Sequence, residues 1–385
     1  MKLNEKQENM LNGKSGEVMS LAMKTLVNYG DAFQAKRLVE ITSAHVAGSF
    51  GIFAVKSYYN IINRIVTDGL KVKVPTTVNP RPGNRLHMVN QVVMNKQQFL
   101  ENSFKKMGII PNYSCACYDG VNVPSKGEPV AWAESSAVQY ANSVLGAKTN
   151  RNSVMIDICS AVTGYVPEFG YMLDENRRGQ ILVKLKIDKM DASALGFIIG
   201  QRVVDKVPVI EHYPFTRVAL KNMGGAMAAS GAVALFHVEG LTPEAPDMKS
   251  IFDREPEKIL TITQKDIDDL RTKDLSKTTS VVFGCPHMTL EEANDLAGYF
   301  NGASVKRPTC FCMTPAAKTE FEKSDRGQKV TAAGVKLYDH CPVAAFTVRR
   351  GNRHMLTSSA KCFYYLAGTD YGTKEDCLRA CGVKS

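Results

Sequence analysis

The sequence has no close-spaced ladder of cysteines of the kind found in zinc fingers and ferredoxins, although it carries ten cysteines. Its first residues, Met-Lys-Leu-Asn-Glu-Lys-Gln-Glu-Asn-Met, lack the apolar core and small-residue cleavage site of a secretory signal. No apolar run approaches the ~18 residues of a membrane span. These absences point to the cytoplasm and to no membrane partner. Disulfides are not expected in that compartment, so metal ligation, catalysis or burial must account for the thiols. Runs of Lys and Arg are also missing: the net charge is +10, but the basic residues are scattered, which argues against nucleic acid. Repeats and low-complexity tracts are absent as well.

What is present is globular. With 385 residues, 44% apolar and 22% charged, the chain can build two or three domains with real cores. Asn4 and Gln7 have capping-box spacing, opening a helix through Met10, with a second helix through Met19 to Val27. Asp31 to Val39 reads as helix, Ile41 to Gly48 as strand into loop, Ala54 to Val66 as helix and Leu70 to Val78 as strand. Helix alternating with strand predicts an α/β layered fold. Further on, Val154 to Cys159 reads as a short strand, Gln180 to Ile187 as a strand, and Ala194 to Gly200 as a small apolar patch. Thr216 to Gly231 reads as a closely packed helix, Val233 to Val238 as a buried strand, and Asp247 to Lys277 as a charged linker with a surface helix from Thr263 to Leu270. A boundary near Lys277 divides an N-terminal region, 1–277, of two subdomains from a C-terminal α/β subdomain, 278–385.

The C-terminal subdomain reads as a βαβαβ unit with parallel strands from Thr278, Lys306 and Val335, and a capping box at Thr289 and Glu292. Its first strand runs into Gly284-Cys285-Pro286-His287 and its third into Asp339-His340-Cys341-Pro342. Cys285 and Cys341 are therefore predicted on one edge of one sheet, where open α/β sheets bind ligands, with Cys285 just before a helix N-terminus. The competing reading is two buried free thiols. A third ligand is available from Cys115 or Cys117, which spacing does not separate. Cys310 and Cys312 share one face of a strand and read as core; Cys159, Cys362, Cys377 and Cys381 read as filler or surface thiols. Three dispersed cysteines suggest a site that leaves one iron open for substrate.

The densest chemistry lies between Ala131 and Arg151, which holds the only tryptophan, Trp132, and Glu134 beside Ser135 and Ser136. A helix from Ser135 to Leu145 would hold these polar groups at its ends. Glu134 reads as an acid, a base or an acceptor for substrate, or as a carboxylate favoured at a helix N-terminus. Lys361 reads as a partner for a carboxylate or phosphate, or as a solvated lysine. His45, His237 and His287 stand by strands, either orienting substrate or serving as structural residues.

Eight segments in order resemble the large subunit of the aconitase X family, a branch of the aconitase superfamily: Thr42 to Gly48, Val74 to Asn79, Ser114 to Tyr118, Trp132 to Arg151, Leu235 to Glu244, Gly284 to His287, Asp339 to Cys341 and Thr357 to Lys361. The resemblance implies an aconitase-like α/β fold of several subdomains around an iron–sulfur cluster, most simply [4Fe–4S], held by Cys115, Cys285 and Cys341. It implies substrate contacts at Gly48, Ser49 and Phe50, at Asn79 and Pro80, at Glu134 and Ser135, and at Lys361. Cys117 departs from the family pattern, in which a proline is expected, and leaves the choice within the Cys115/Cys117 pair open.

The activity implied is a hydro-lyase reaction, the dehydration of a β-hydroxy acid such as mevalonate 5-phosphate or cis-3-hydroxy-L-proline. Arg81 and Arg85 lean towards the phosphorylated acid, since arginine pairs well with phosphate. In two-subunit members the catalytic base is a serine on a small swivelling chain, so a heterodimer is expected and no base is assigned to this chain. Two readings compete: a non-catalytic iron–sulfur redox or iron sensor on the same fold, and a zinc enzyme using the same cysteines.

Overall fold

The computed structural model describes residues 1–48, 56–83, 91–347 and 354–383. The capping box at Asn4 and Gln7 forms as expected and opens helix Glu5–Leu11, followed by Glu17–Ala32. The helix expected across Asp31 to Val39 does not form. The chain leaves the helix after Ala32, and Gln34 takes φ 58°, a conformation that interrupts a right-handed helix. The first sheet-forming region holds Leu38–Glu40 (β1), Ser43–Val46 (β2), Thr76–Val78 (β3), Val130–Trp132 (β4) and Tyr165–Pro167 (β5). β1 pairs antiparallel with β5, while β3-β2-β4 form a parallel sheet whose C-terminal ends share one edge.

Two readings in this region are corrected. Val154 to Cys159 is not a strand but the start of helix Val154–Thr163, buried at every residue from Ile156 to Thr163. A helix covered on all sides loses its 3.6-residue period, so its β-branched run imitates a strand. Of the strand expected from Leu70, only β3 forms.

The second region is a four-stranded parallel sheet in the order β8-β7-β6-β9, from Ile181–Lys186 (β6), Pro208–Ile210 (β7), His237–Val238 (β8) and Lys258–Thr263 (β9). β9 corrects the linker reading of 247–277: its outward Lys and Thr gave the segment a solvated look, while Leu260 and Ile262 pack inward. Likewise the apolar patch Ala194 to Gly200 is the middle of helix Ala192–Val203, capped by Asp191. The expected helix Arg217–Ser230 packs on it.

The third region has five strands, Ser280–Met288 (β10), Thr309–Met313 (β11), Val335–Tyr338 (β12), Met355–Thr357 (β13) and Thr369–Tyr371 (β14), all parallel in the order β12-β11-β10-β13-β14. The predicted βαβαβ unit is β10 to β12. The strand order reverses between β10 and β13, so the crevice beyond their C-terminal ends is where such a sheet binds ligands. Each region has its own apolar core. No described helix is long and apolar enough to cross a membrane.

Candidate active site

The edge of the first sheet and the reversal point of the third face each other. From the first sheet, β2 runs into Gly48, β3 into Asn79 and Pro80, and β4 into Glu134 and Ser135. From the third, β10 carries Cys285 and β13 leads to Lys361 in helix Ala360–Tyr365. The two sides join at one ion pair. The Lys361 ammonium donates to Glu134 Oε1 at 2.8 Å, Ser136 Oγ at 3.0 Å and Ser135 Oγ at 3.3 Å. Glu134 Oε2 also accepts from Ser136 Oγ at 2.6 Å and from the Ala137 N–H at 2.7 Å, which makes Glu134 the cap of helix Ser135–Tyr140.

Lys361 is 5% exposed, so the solvated reading is excluded and the carboxylate-pairing one holds. Burial alone would raise the Glu134 carboxyl, but Lys361, Ser136 and the Ala137 N–H reverse that and hold it at about 2. Burial would strip Lys361 of its proton, and Glu134 keeps it charged. Because the folded Glu134 lies below an unfolded carboxyl near ~4.3, the stabilisation it lends is complete above that pH and is lost as pH falls towards 2. The pair is thus intact across the neutral range.

Cys285 is presented by an interruption of the sheet. Phe283 pairs with Phe311 and Met288 with Met313, so residues 284 to 287 leave the ladder. Gly284 makes this possible: its φ is +97°, and a Cβ there would stand 2.2 Å from the Cys312 carbonyl oxygen. The excursion is pinned from three sides. Ser359 Oγ donates to the Cys285 carbonyl, Lys221 Nζ donates to the His287 carbonyl at 2.8 Å, and the His287 N–H donates to Cys115 Sγ at 3.3 Å. Lys221 is itself buried and paired with Glu292. Cys285 does not sit before a helix N-terminus as expected; Cys341 does, directly ahead of Pro342–Thr347, with the Ala344 N–H towards its sulfur.

Cys115, Cys285 and Cys341 lie within electrostatic reach of one another and of Lys361. Burial pushes the Cys115 and Cys341 thiols up to about 12, and contact with Cys362 together with burial pushes Cys285 well up. Two buried thiols and the half-buried Cys341, all resistant to ionisation, call for a cationic centre, and an N–H donor to sulfur is an interaction that iron–sulfur sites use. The donors therefore fit the cluster implied by the sequence. Among the described residues no three His, Cys, Asp or Glu side chains close on a single metal ion. Cys117 points elsewhere, its fully buried thiol bonded to Thr77.

Gly48 fits only as glycine, since a Cβ would meet Val154 Cγ2 at 2.4 Å and Tyr58 Oη at 2.6 Å. Asn79 is held by His45, whose Nε2 lies 2.9 Å from Asn79 Oδ1 and whose Nδ1 lies 2.9 Å from Thr77 Oγ1. Pro80 is buried beside it. Ser49, Phe50 and Arg85 lie outside the described residues. Arg81 is engaged by Asp339 at 3.1 Å and by the Tyr113 ring at 4.6 Å, and so ties the Asn79 loop to the Cys341 loop. All four cysteines read as filler or surface thiols are buried, which removes the surface alternative. Sequence reasoning passed over Ser359 and Lys221. Ser359 had a signal, its N-cap place two residues before Lys361, as did Lys221, a charge among the small and apolar residues of the packed helix Arg217–Ser230.

His45, His237 and His287 are buried and held near 4, each chiefly by burial. His237 is structural, its Nε2 2.8 Å from the Arg177 carbonyl. A folded value below the unfolded one means that the unfolded chain takes up the proton first, so these groups lower stability as pH falls from 6.5 towards 4. Urea melts between pH 7 and 5 are expected to show this, and His237→Gln to flatten the slope by one proton, about 1.4 kcal/mol per pH unit. A slope unchanged in that variant refutes the assignment.

The comparisons with known proteins agree with this fold. Residues 1–175 match the aconitase X first domain, 179–272 the second and 278–382 the third. The phosphomevalonate dehydratase large subunit of Thermococcus kodakarensis is 32% identical, over 98% of this chain and 97% of its own. That of Methanothermobacter thermautotrophicus is 33% identical, over 95% and 94%. The cis-3-hydroxy-L-proline dehydratase of Pseudomonas aeruginosa is 30% identical over 93% of this chain, which spans 65% of that enzyme. The crystal structure of Thermococcus kodakaraensis aconitase X in its holo-form is similar with a TM-score of 0.86 at 32% identity, covering 95% of each chain.

Proposed function

This chain belongs to the aconitase X family, and from that premise we propose that it is the large subunit of a cytoplasmic hydro-lyase that dehydrates a small β-hydroxy acid, with mevalonate 5-phosphate favoured over cis-3-hydroxy-L-proline. The observation that carries the reading is the Lys361–Glu134 pair, buried beside Ser135 and within reach of three convergent thiols. End-to-end similarity to chains named phosphomevalonate dehydratase large subunits supports both the phosphorylated substrate and a small subunit as partner. The non-catalytic sensor reading is not favoured, because the relatives with this constellation's fold are named as dehydratases.

In this reading Cys115, Cys285 and Cys341 hold an iron–sulfur cluster, which supplies when bound an iron with an open position, a Lewis acid for the departing hydroxyl. The remaining work falls to side chains. Lys361 keeps a positive charge in a buried site, and its 3.3 Å contact to Ser135 is the longest of its three. That is the contact a substrate carboxylate replaces, which leaves Ser135 free to bond the same group. Glu134, held near 2, is too weak a base to take a carbon-bound proton; it fixes Lys361 and keeps the ammonium charged. Asn79, oriented by His45, supplies a side-chain amide at the next strand end. The base comes from the small subunit.

The test is direct. Anaerobically prepared protein mixed with its small partner is expected to convert mevalonate 5-phosphate to an α,β-unsaturated acid with release of water, followed by NMR. Turnover of cis-3-hydroxy-L-proline instead would reverse the substrate preference, and turnover of neither with iron present would overturn the reading.

A further inference from the structure

Seven of the ten cysteines have no part in the proposed site, yet one of them touches it. Cys285, Cys310, Cys312 and Cys362 pack in one buried cluster between β10, β11 and helix Ala360–Tyr365. Within it the partner of the Cys285 side chain is the Cys362 thiol, while the free Cys312 thiol is hydrogen-bonded to Cys310. The two backbones are also clamped together. The Ser359 hydroxyl donates to the Cys285 carbonyl and accepts from the Cys362 N–H at 3.0 Å, so a single oxygen bridges them. Cys115 and Cys341 reach Cys285 only through longer-range electrostatics.

A second feature gives this pair access. A cavity of about 460 Å³ lies between the second and third regions, lined among others by Asn222, Arg271, Gly284, Cys285 and Ser359. It approaches Cys285 from the side of Lys189 and Lys374, both lining residues. Cys285 thus belongs to the wall of a cavity large enough to hold a small neutral oxidant.

We infer that Cys285 and Cys362 form a reversible disulfide when the protein loses its cluster under peroxide, with Cys362 as the resolving thiol. The chemistry balances in two steps. The Cys285 thiolate left behind when the cluster departs and H₂O₂ give Cys285–SOH and hydroxide; the Cys362 thiol then attacks that sulfur, and the S–S bond forms as water leaves. Peroxide accepts both electrons, and a dithiol reductant returns them. The clamp at Ser359 favours this outcome over further oxidation of Cys285, because the second thiol is already in contact. The protective role rests on the proposed cluster ligation by Cys285, whereas the disulfide itself does not.

The experiment uses the full chain, prepared anaerobically, its iron measured, then exposed to hydrogen peroxide and digested without reduction for mass spectrometry. A Cys285–Cys362 linked peptide is expected, lost on treatment with dithiothreitol. In Cys362→Ala and in Cys362→Ser the linked peptide disappears and Cys285 is recovered as sulfinic or sulfonic acid. After peroxide and then reductant, the wild-type chain is expected to reload iron and both variants to fail. Circular dichroism before oxidation establishes that each variant is folded; if one is not, the other carries the test. Cys285 linked to Cys115, Cys341 or Cys310, or oxidised equally in wild type and variants, overturns the inference. Little iron before treatment counts against the cluster reading alone.

Discussion

Lys361→Met is expected to abolish turnover and to destabilise the fold by roughly 3–5 kcal/mol, the range found when one partner of a buried ion pair is removed. The size follows from burial: Glu134 and Lys361 are 9% and 5% exposed, so neither charge can turn to water when the other goes. Glu134 would keep only Ser135, Ser136 and the Ala137 N–H. The double variant Lys361→Met with Glu134→Gln separates the two roles. It no longer strands a charge, so most of the stability returns, while activity does not, because the ammonium that faces the substrate is still absent. Urea melts and kcat/KM on the same preparations read the two effects independently. A Lys361→Met enzyme within a few-fold of wild-type kcat/KM would sink the assignment. Glu134→Ala carries the same stability penalty in reverse, so it disturbs the fold as well as the chemistry; Ser135→Ala is the cleaner probe of substrate contact.

The parts of this arrangement visible in the sequence are those that local rules govern. The strand–helix alternation from Thr278 and the capping boxes at Asn4 and Thr289 are local signals, and they gave the parallel order of β10, β11 and β12 with Cys285 and Cys341 on one edge. Long-range pairing was less legible. Nothing within a few residues of Lys361 says that it meets Glu134, 227 positions away in the chain. That contact follows from the reversal of strand order between β10 and β13, which requires β13 and β14 to be known. The segment Met355 to Thr357 is too short and uniformly buried to announce itself. Helix Val154–Thr163 failed for the related reason that total burial erases periodicity. The position of Cys285 was read correctly but its surroundings were not: Gly284 lets the chain leave the ladder before any helix begins, so the sulfur is placed by Ser359, Lys221 and Cys115 rather than by a helix end.

The same surroundings divide Cys115 from Cys117, which spacing could not separate. Cys115 receives the His287 N–H and lies within reach of Cys285 and Lys361, whereas Cys117 is bonded to Thr77 within the core beside Trp132. Serine at Cys115, Cys285 or Cys341 is therefore expected to strip iron from the protein and to cut turnover by roughly 100-fold or more, since a lost ligand should cost at least as much as the loss of an outer-shell partner. Cys117→Ser should retain iron, because a hydroxyl can keep the bond to Thr77 and no ligand is lost. Iron and sulfide content, with the visible absorption of anaerobic preparations, measures all four variants side by side. If Cys117→Ser loses iron and Cys115→Ser keeps it, the two thiols exchange roles; if all four keep it, the cluster is held elsewhere.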